Sequence, residues 1–224
     1  MKISLPFTIA VACLLAACSN APKLNTQAMP RSGFLPNYNV LQPIAIRDTD
    51  ARVWRYYKDS VNMKSYNAVI LDPIYLNQSA TKEVSNDVIN QTKTALQQSM
   101  VEAVNSRGNI KIVTQPGPGV ARISVGITGG ELSADSLQPW NFTPIGLAVN
   151  AAAYAGGVNS KTPALVVESK ISDSQSNEII GEGLITVQGE SFRTASGSVD
   201  SFVAMAKKVV RLALETSVGA GPSK

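Results

Sequence analysis

The chain has 224 residues, of which 44% are hydrophobic and 16% charged, with 16 Gly, 12 Pro, 2 Cys and no His. Those values exclude disorder, collagen and coiled coil for the molecule as a whole, and the length suits one domain with an N-terminal appendage rather than two full cores. The absence of histidine excludes Ser-His-Asp and Cys-His catalysis and His-ligated zinc or haem.

Lys2 is followed by an apolar run from Ile3 to Ala17, broken only by Ser4, Pro6 and Thr8. A positive end, a short apolar stretch and small residues at its exit make a secretory signal peptide, and the run is shorter than the roughly 20 residues a membrane-spanning helix needs. Leu15-Ala16-Ala17-Cys18 resembles the bacterial lipobox, in which cleavage falls before the cysteine. That resemblance implies a thioether diacylglycerol and an N-acyl chain on Cys18, and no cofactor is expected beyond this covalent lipid. Cysteine arithmetic agrees: Cys13 is removed with the leader, so the mature chain keeps a lone cysteine, which cannot form an internal disulfide and as a free thiol is a liability in an oxidising compartment. Three acyl chains, each contributing about 0.8 kcal/mol per buried methylene, exceed what stable anchoring takes. Ser19 rather than Asp after the lipidated position implies export to the outer membrane, facing the periplasm. Loss of Lys2 takes 20 basic residues to 19 against 16 acidic ones, a net charge of +3, too little for a nucleic-acid binder.

Residues 18–32 form the lipidated N-terminus and a flexible tether: Ser19 to Ser32 lack periodicity and carry Pro22 and Pro30. An arm with Gly33-Phe34-Leu35 and Tyr38 follows. The segment Arg47 to Lys58 then mixes basic residues with rings, and its alternation from Arg52 to Tyr56 fits an edge strand. Arg52, Trp54, Arg55, Tyr56 and Tyr57 are the candidate partner-binding residues, because arginine beside aromatics is the composition of interface hot spots. The competing reading has the rings dock the arm on the core while the arginines stay in water.

Tyr66 to Ile74 reads as a buried strand stopped by Asp72-Pro73. Val84, Val88, Ile89, Leu96, Met100, Ala103 and Val104 recur at helical spacing, and Gly108-Asn109 ends that helix. Strands follow at Ile110 to Val113 and, strictly alternating, at Val120 to Thr128. The uncharged Ala/Gly-rich stretch from Ile145 to Gly157 predicts a short helix after Pro144. Pro163 to Ile171 and Glu178 to Val187 form a hairpin around Asp173-Ser174-Gln175-Ser176-Asn177, and a last helix runs from about Ser198 to Ser217. The order is β-α-β-β-α-β-β-α, an α+β fold whose mixed, largely antiparallel sheet carries helices on one face. Residues 1–17 are then the signal peptide, 33–218 a single α+β periplasmic domain and 219–224 a disordered tail.

Enzyme templates fail on named parts. There is no Gly-x-Ser-x-Gly elbow, Ser60-Val61-Asn62-Met63-Lys64 misses the Ser-x-x-Lys spacing, and the glycines at 117, 119, 129 and 130 lie in turns rather than before a helix. Glu168 and Glu182 face each other across the predicted hairpin, but with Lys170 they read as a solvated sheet face. No cluster of metal ligands stands out.

The lipobox, the Gly33-Phe34-Leu35 arm with Tyr38 and Leu41, Tyr66 to Pro73, Phe142-Thr143-Pro144-Ile145-Gly146 and the Val167-Glu168 to Gly181 hairpin together resemble the bacterial lipoprotein family defined by the domain DUF3313. The resemblance implies an envelope address and an α+β fold, and it brings no catalytic residues. Where that family often has Thr-Gly in the hairpin turn, this chain has Ser176-Asn177, and Asn tolerates the positive φ required. The element order is also similar to periplasmic modules of a curli secretion lipoprotein and of lipoprotein activators of peptidoglycan synthases, an analogy of fold alone.

The leading reading is a non-enzymatic outer-membrane lipoprotein, attached to the membrane through its lipid, whose domain binds an envelope protein or peptidoglycan. The alternative is a subunit of an oligomeric secretion or envelope-assembly complex, and a cell-wall-acting enzyme ranks last. Cys18→Ser is expected to abolish incorporation of a fatty-acid analogue, leave unprocessed precursor and release the protein from the membrane fraction. An unlabelled wild type would refute lipidation.

Overall fold

The structure, a computed structural model, describes residues 29–133, 161–192 and 194–218. The expected helix at Ile145 to Gly157 lies outside the described residues, as does Cys18 with its leader. The strands are β1 (Gln42–Ile44), β2 (Ala51–Tyr57), β3 (Ala68–Leu71), β4 (Tyr75–Leu76), β5 (Lys111–Ile112), β6 (Val120–Ser133), β7 (Thr162–Asp173) and β8 (Ile179–Gln188), with helices α1 (Asn86–Asn105) and α2 (Ala195–Val218). They build one eight-stranded sheet in the order β1-β2-β8-β7-β6-β3-β5, with β4 also pairing β6. The β1-β2-β8-β7-β6 pairs are antiparallel, and β3, β4 and β5 join in parallel. This is the expected α+β class, a mixed and largely antiparallel sheet.

Local chemistry sets the helix limits. Ser85 caps α1, its hydroxyl accepting from Val88 N–H, and Asp87 complements the positive end. Gly108, at φ 65°, follows the helix and turns the chain where a side chain would be strained. α2 starts three residues earlier than its apolar spacing suggests, because Thr194 accepts from Gly197 N–H at 3.1 Å as an N-cap. Both helices lay their stripes on one sheet face: Val88, Ile89 and Leu96 of α1 and Phe202, Met205 and Ala206 of α2 are buried with Val53, Ile127, Leu165 and Val187 of the strands. Asn177 sits at φ 59° in the β7–β8 turn, as the sequence reading requires.

The other sheet face is covered too, by the arm that precedes β1. Leu35, Tyr38 and Leu41 are buried with Trp54, Val166 and Leu184, and Met29 packs against this cluster. Phe34 stacks on Tyr75 with centroids 5.4 Å apart, a fit that depends on Gly126 because a Cβ there would lie 3.1 Å from both rings. The arm's polar fastening is the Tyr38 hydroxyl. It donates to Glu168 Oε2 at 2.6 Å and accepts from the backbone N–H groups of Ser32, Gly33 and Leu35 at 3.0, 2.9 and 3.4 Å. Glu168 is fully buried, and its Oε1 accepts from Thr128 at 2.8 Å. Thr128 is the extra residue of a bulge between Ile127 and Gly129, which aims its hydroxyl at the carboxyl.

Two expectations change here. Residues 29–32 were assigned to the tether, yet Met29 packs on the arm cluster, Arg31 donates to Asn39 Oδ1 and stands over the Tyr38 ring, and Ser32 joins the Tyr38 network. The folded part therefore begins by Met29 rather than at Gly33. β2 was expected at an edge, but β1 flanks it on one side and β8 on the other. Tyr38→Phe is expected to cost about 2 kcal/mol, since it deprives a buried carboxyl of one donor and three N–H groups of their acceptor. Urea unfolding measures the loss, and limited proteolysis should cut the arm first; unchanged stability would show the hydroxyl to be dispensable.

Candidate functional site

The helix-covered face is not completely filled. A cavity of about 510 Å³ lies between the sheet and the C-terminal halves of α1 and α2. Its walls are apolar: Val69 and Leu71 of β3, Ile123 and Val125 of β6, Leu96 and Met100 of α1, and Val209 and Val210 of α2. The space exists because small residues fall where the layers face each other, with Ala103 on α1, Ala213 on α2, Ala121 on β6 and Ser169 on β7. It reaches the surface where the segment after β2, with exposed Asp59 and Met63, meets Arg107 behind α1 and Ser217 in the last turn of α2. The volume lies within the ~300–1,000 Å³ typical of small-molecule sites, as does the combination of apolar walls with a few polar groups.

The most buried polar side chain of the lining is Arg55, at 8% exposure. Its Nε donates to Thr216 Oγ1 at 2.9 Å, Nη1 to Tyr57 Oη at 2.9 Å and Nη2 to the Ala213 carbonyl at 2.8 Å. All three acceptors are uncharged. Among the described residues no carboxylate forms an ion pair with Arg55, whereas Lys58 at the mouth is paired with Glu178. The negative end of α2, equivalent to about half a charge, offsets part of the Arg55 charge. A guanidinium lining an apolar cavity without a counter-ion is costly, so this is where an anion gains most.

The five residues read as a basic–aromatic surface are separated by the strand pleat. Ala51, Val53, Arg55 and Tyr57 point toward the helices, while Arg52, Trp54 and Tyr56 point toward the arm. Trp54 is buried at 4% exposure and Tyr56 packs partly against the same cluster. Arg52 donates to the carbonyls of Thr49 and Ala51. Neither sequence reading describes this arrangement, since the ring of Trp54 does dock the arm but Arg55 does not stay in water. Arg55 and Tyr57 belong to the cavity, and composition alone had put them on the surface. The cavity itself was missed; its one trace in the sequence is the alanine on each helical stripe.

Glu168 and Glu182 do share a sheet face, with Lys170 paired across the strands to Glu182, but the face is buried under the arm rather than solvated. Glu168 is committed to Tyr38 and Thr128. Glu182 has one carboxyl oxygen without a hydrogen-bond partner. Burial pushes its pKa above the ordinary value of 4.5, against the opposing pull of the Asn37 backbone N–H and the Lys170 charge. Lys170 itself sits over the Phe34 ring, 4.4 Å from its centroid. Among the described residues no group of three or more His, Cys, Asp or Glu side chains gathers to hold a metal. A carboxyl whose folded pKa is raised stabilises the fold below its unfolded pKa, and that contribution fades as pH rises through the folded value. Glu182→Gln should therefore gain stability relative to the wild type between pH 4 and pH 7, read from urea unfolding at both; a difference that shrinks with pH would contradict the desolvation account.

A family model described as a protein of unknown function, DUF3313, matches residues 30–213. YdcL of Escherichia coli K12, named an uncharacterised lipoprotein, is 27% identical over 172 residues, 76% of this chain and 76% of its own length. Among solved structures, a PelC dodecamer from Paraburkholderia phytofirmans aligns at 10% identity and TM-score 0.38, over 71% of this chain and 95% of its own. The rare lipoprotein B of Shewanella oneidensis aligns at 14% identity and TM-score 0.33, over 68% and 97% respectively. With the family's match running from the arm through both helices, the chain belongs to the DUF3313 family.

Proposed function

We propose that the protein is an outer-membrane lipoprotein, anchored through the acylated Cys18, whose periplasm-facing domain binds an apolar component of the envelope without converting it. The observation that carries this reading is the cavity: about 510 Å³ of largely apolar space that reaches the surface beside Asp59 and Met63. An apolar interior suits a hydrocarbon rather than a glycan strand, whose hydroxyl groups would lose their water without gaining partners. The anchor is supported by the Leu15-Ala16-Ala17-Cys18 sequence and by the lipoprotein name of the relative YdcL. Anchoring at the membrane keeps such a domain beside the most abundant source of that ligand.

The test avoids detergent, which would compete for the site. The mature polypeptide from Ser19, exported behind an ordinary cleavable signal peptide and purified from periplasmic extract, should carry about one equivalent of an extractable apolar molecule. Val125→Trp, which fills the cavity, should remove most of it while the circular dichroism spectrum stays native. An empty wild-type protein would overturn the reading and return the search to envelope proteins and peptidoglycan.

A further inference from the structure

We infer that the cavity holds a single acyl chain bearing an anionic headgroup, carboxylate or phosphate, with that headgroup on Arg55. The inference rests on the binding reading above and adds the ligand's chemistry. Three features of the cavity converge on it.

The first is size and polarity. At roughly 30 Å³ per water-sized group, the cavity accommodates on the order of fifteen to twenty non-hydrogen atoms, the size of one long acyl chain and too little for a diacyl lipid. Its apolar walls offer that chain dispersion contacts, whereas water along them would find few partners away from Arg55.

The second is the unspent capacity of Arg55. A guanidinium has five N–H donors in a planar fork. Three point at Thr216, Tyr57 and Ala213, so two remain, one on each terminal nitrogen. Two free donors, one on each terminal nitrogen, match what a carboxylate or phosphate takes up. The three bonds already made hold the fork still, so little ordering is left for the ligand to cost.

The third is the charge around the opening. Lys58 and Arg107 stand at the mouth with Asp59, and Lys58 is engaged by Glu178 from the β7–β8 turn. Arg107 donates to Ser217 and has no carboxylate partner among the described residues. The four rim charges therefore balance, Arg107 being the cation without a paired carboxylate, so an incoming anion passes no net repulsion before it reaches the buried cation, where a neutral chain gains nothing.

The mature polypeptide from Ser19 is titrated with cis-parinaric acid and with its methyl ester, which share one chain and differ in charge, following probe fluorescence. The acid is expected to saturate at one site and to bind at least tenfold more tightly than the ester. Arg55→Met should bring binding of the acid down to that of the ester, and Val125→Trp should abolish both. Displacement by oleate and by oleoyl lysophosphatidate identifies the headgroup, the competitor effective at lower concentration naming carboxylate or phosphate. Equal binding of acid and ester would overturn the inference while leaving an apolar-ligand domain; saturable binding of neither would overturn the cavity reading as well. Should Arg55→Met fail to fold, the acid–ester comparison on the wild type decides the matter alone.

Discussion

The fold turns on a carboxyl group placed where water cannot reach it. Glu168 lies in the middle of β7, fully buried, and both of its oxygens are satisfied by hydroxyls brought from far along the chain, Tyr38 from the arm and Thr128 from the bulge of β6. Leaving such a group unbonded costs more than an apolar contact gains, so the sheet is tolerable only when the arm is down. The same bonds fix register. A one-residue slip of β7 would swing Glu168 onto the helix face, among Val53, Ile127 and Phe202, and away from the hydroxyls of Tyr38 and Thr128. The network thus stabilises less through its own strength than through the cost of every arrangement that breaks it.

How far the sequence could be read follows from this. Helical spacing in α1 and α2, the alternation of β6 and the Asp-Ser-Asn turn between β7 and β8 are local signals, and they led to the right elements and the right class. Burial of the second sheet face was not local. Glu168, Lys170 and Glu182 have the composition of a wet surface, and only the contact between Tyr38 and Glu168, 130 residues apart, turns them inward. One warning was present: Ala164 to Val167 is apolar at every position, the mark of a strand covered on two sides. The Thr194 cap was missed for a different reason. Apolar periodicity begins only when a helix meets the core, and α2 starts a turn before it does.

Of the five basic and aromatic residues singled out in the sequence, Arg55 and Tyr57 line the cavity and Arg52, Trp54 and Tyr56 do not. Arginine and aromatic rings are enriched at interfaces because they combine apolar area with directional donors, and the same combination serves in a buried wall. In β2 the pleat decides between the two roles. Trp54 goes to the arm and Arg55 to the helices, one residue apart and on opposite faces. Periodicity of two was visible from the start; that both faces of β2 were covered was not.

The two coverings also divide labour. On the arm side, Tyr38, Thr128 and Glu168 are matched to one another across the interface, and the groups on that face left without a partner are single atoms, one oxygen of Glu182, the Thr186 hydroxyl and Arg122 Nε. On the helix side the mismatch is of another kind: space without atoms beside a charge without a counter-ion. Either could be tolerated alone. An apolar void forfeits dispersion contacts, and a buried guanidinium bonded only to neutral oxygens forfeits hydration. Replacement of either by packed aliphatic side chains would be expected to stabilise the domain, so neither is explained by folding. Arg55 does tie β2 to the last turns of α2, yet a neutral donor could hold Thr216 and the Ala213 carbonyl without bringing a full charge inside. What the charge adds to those bonds is attraction for an anion, and what the void adds to that is room for the anion's tail. The two costs fall on one cavity, and one amphiphile offsets both.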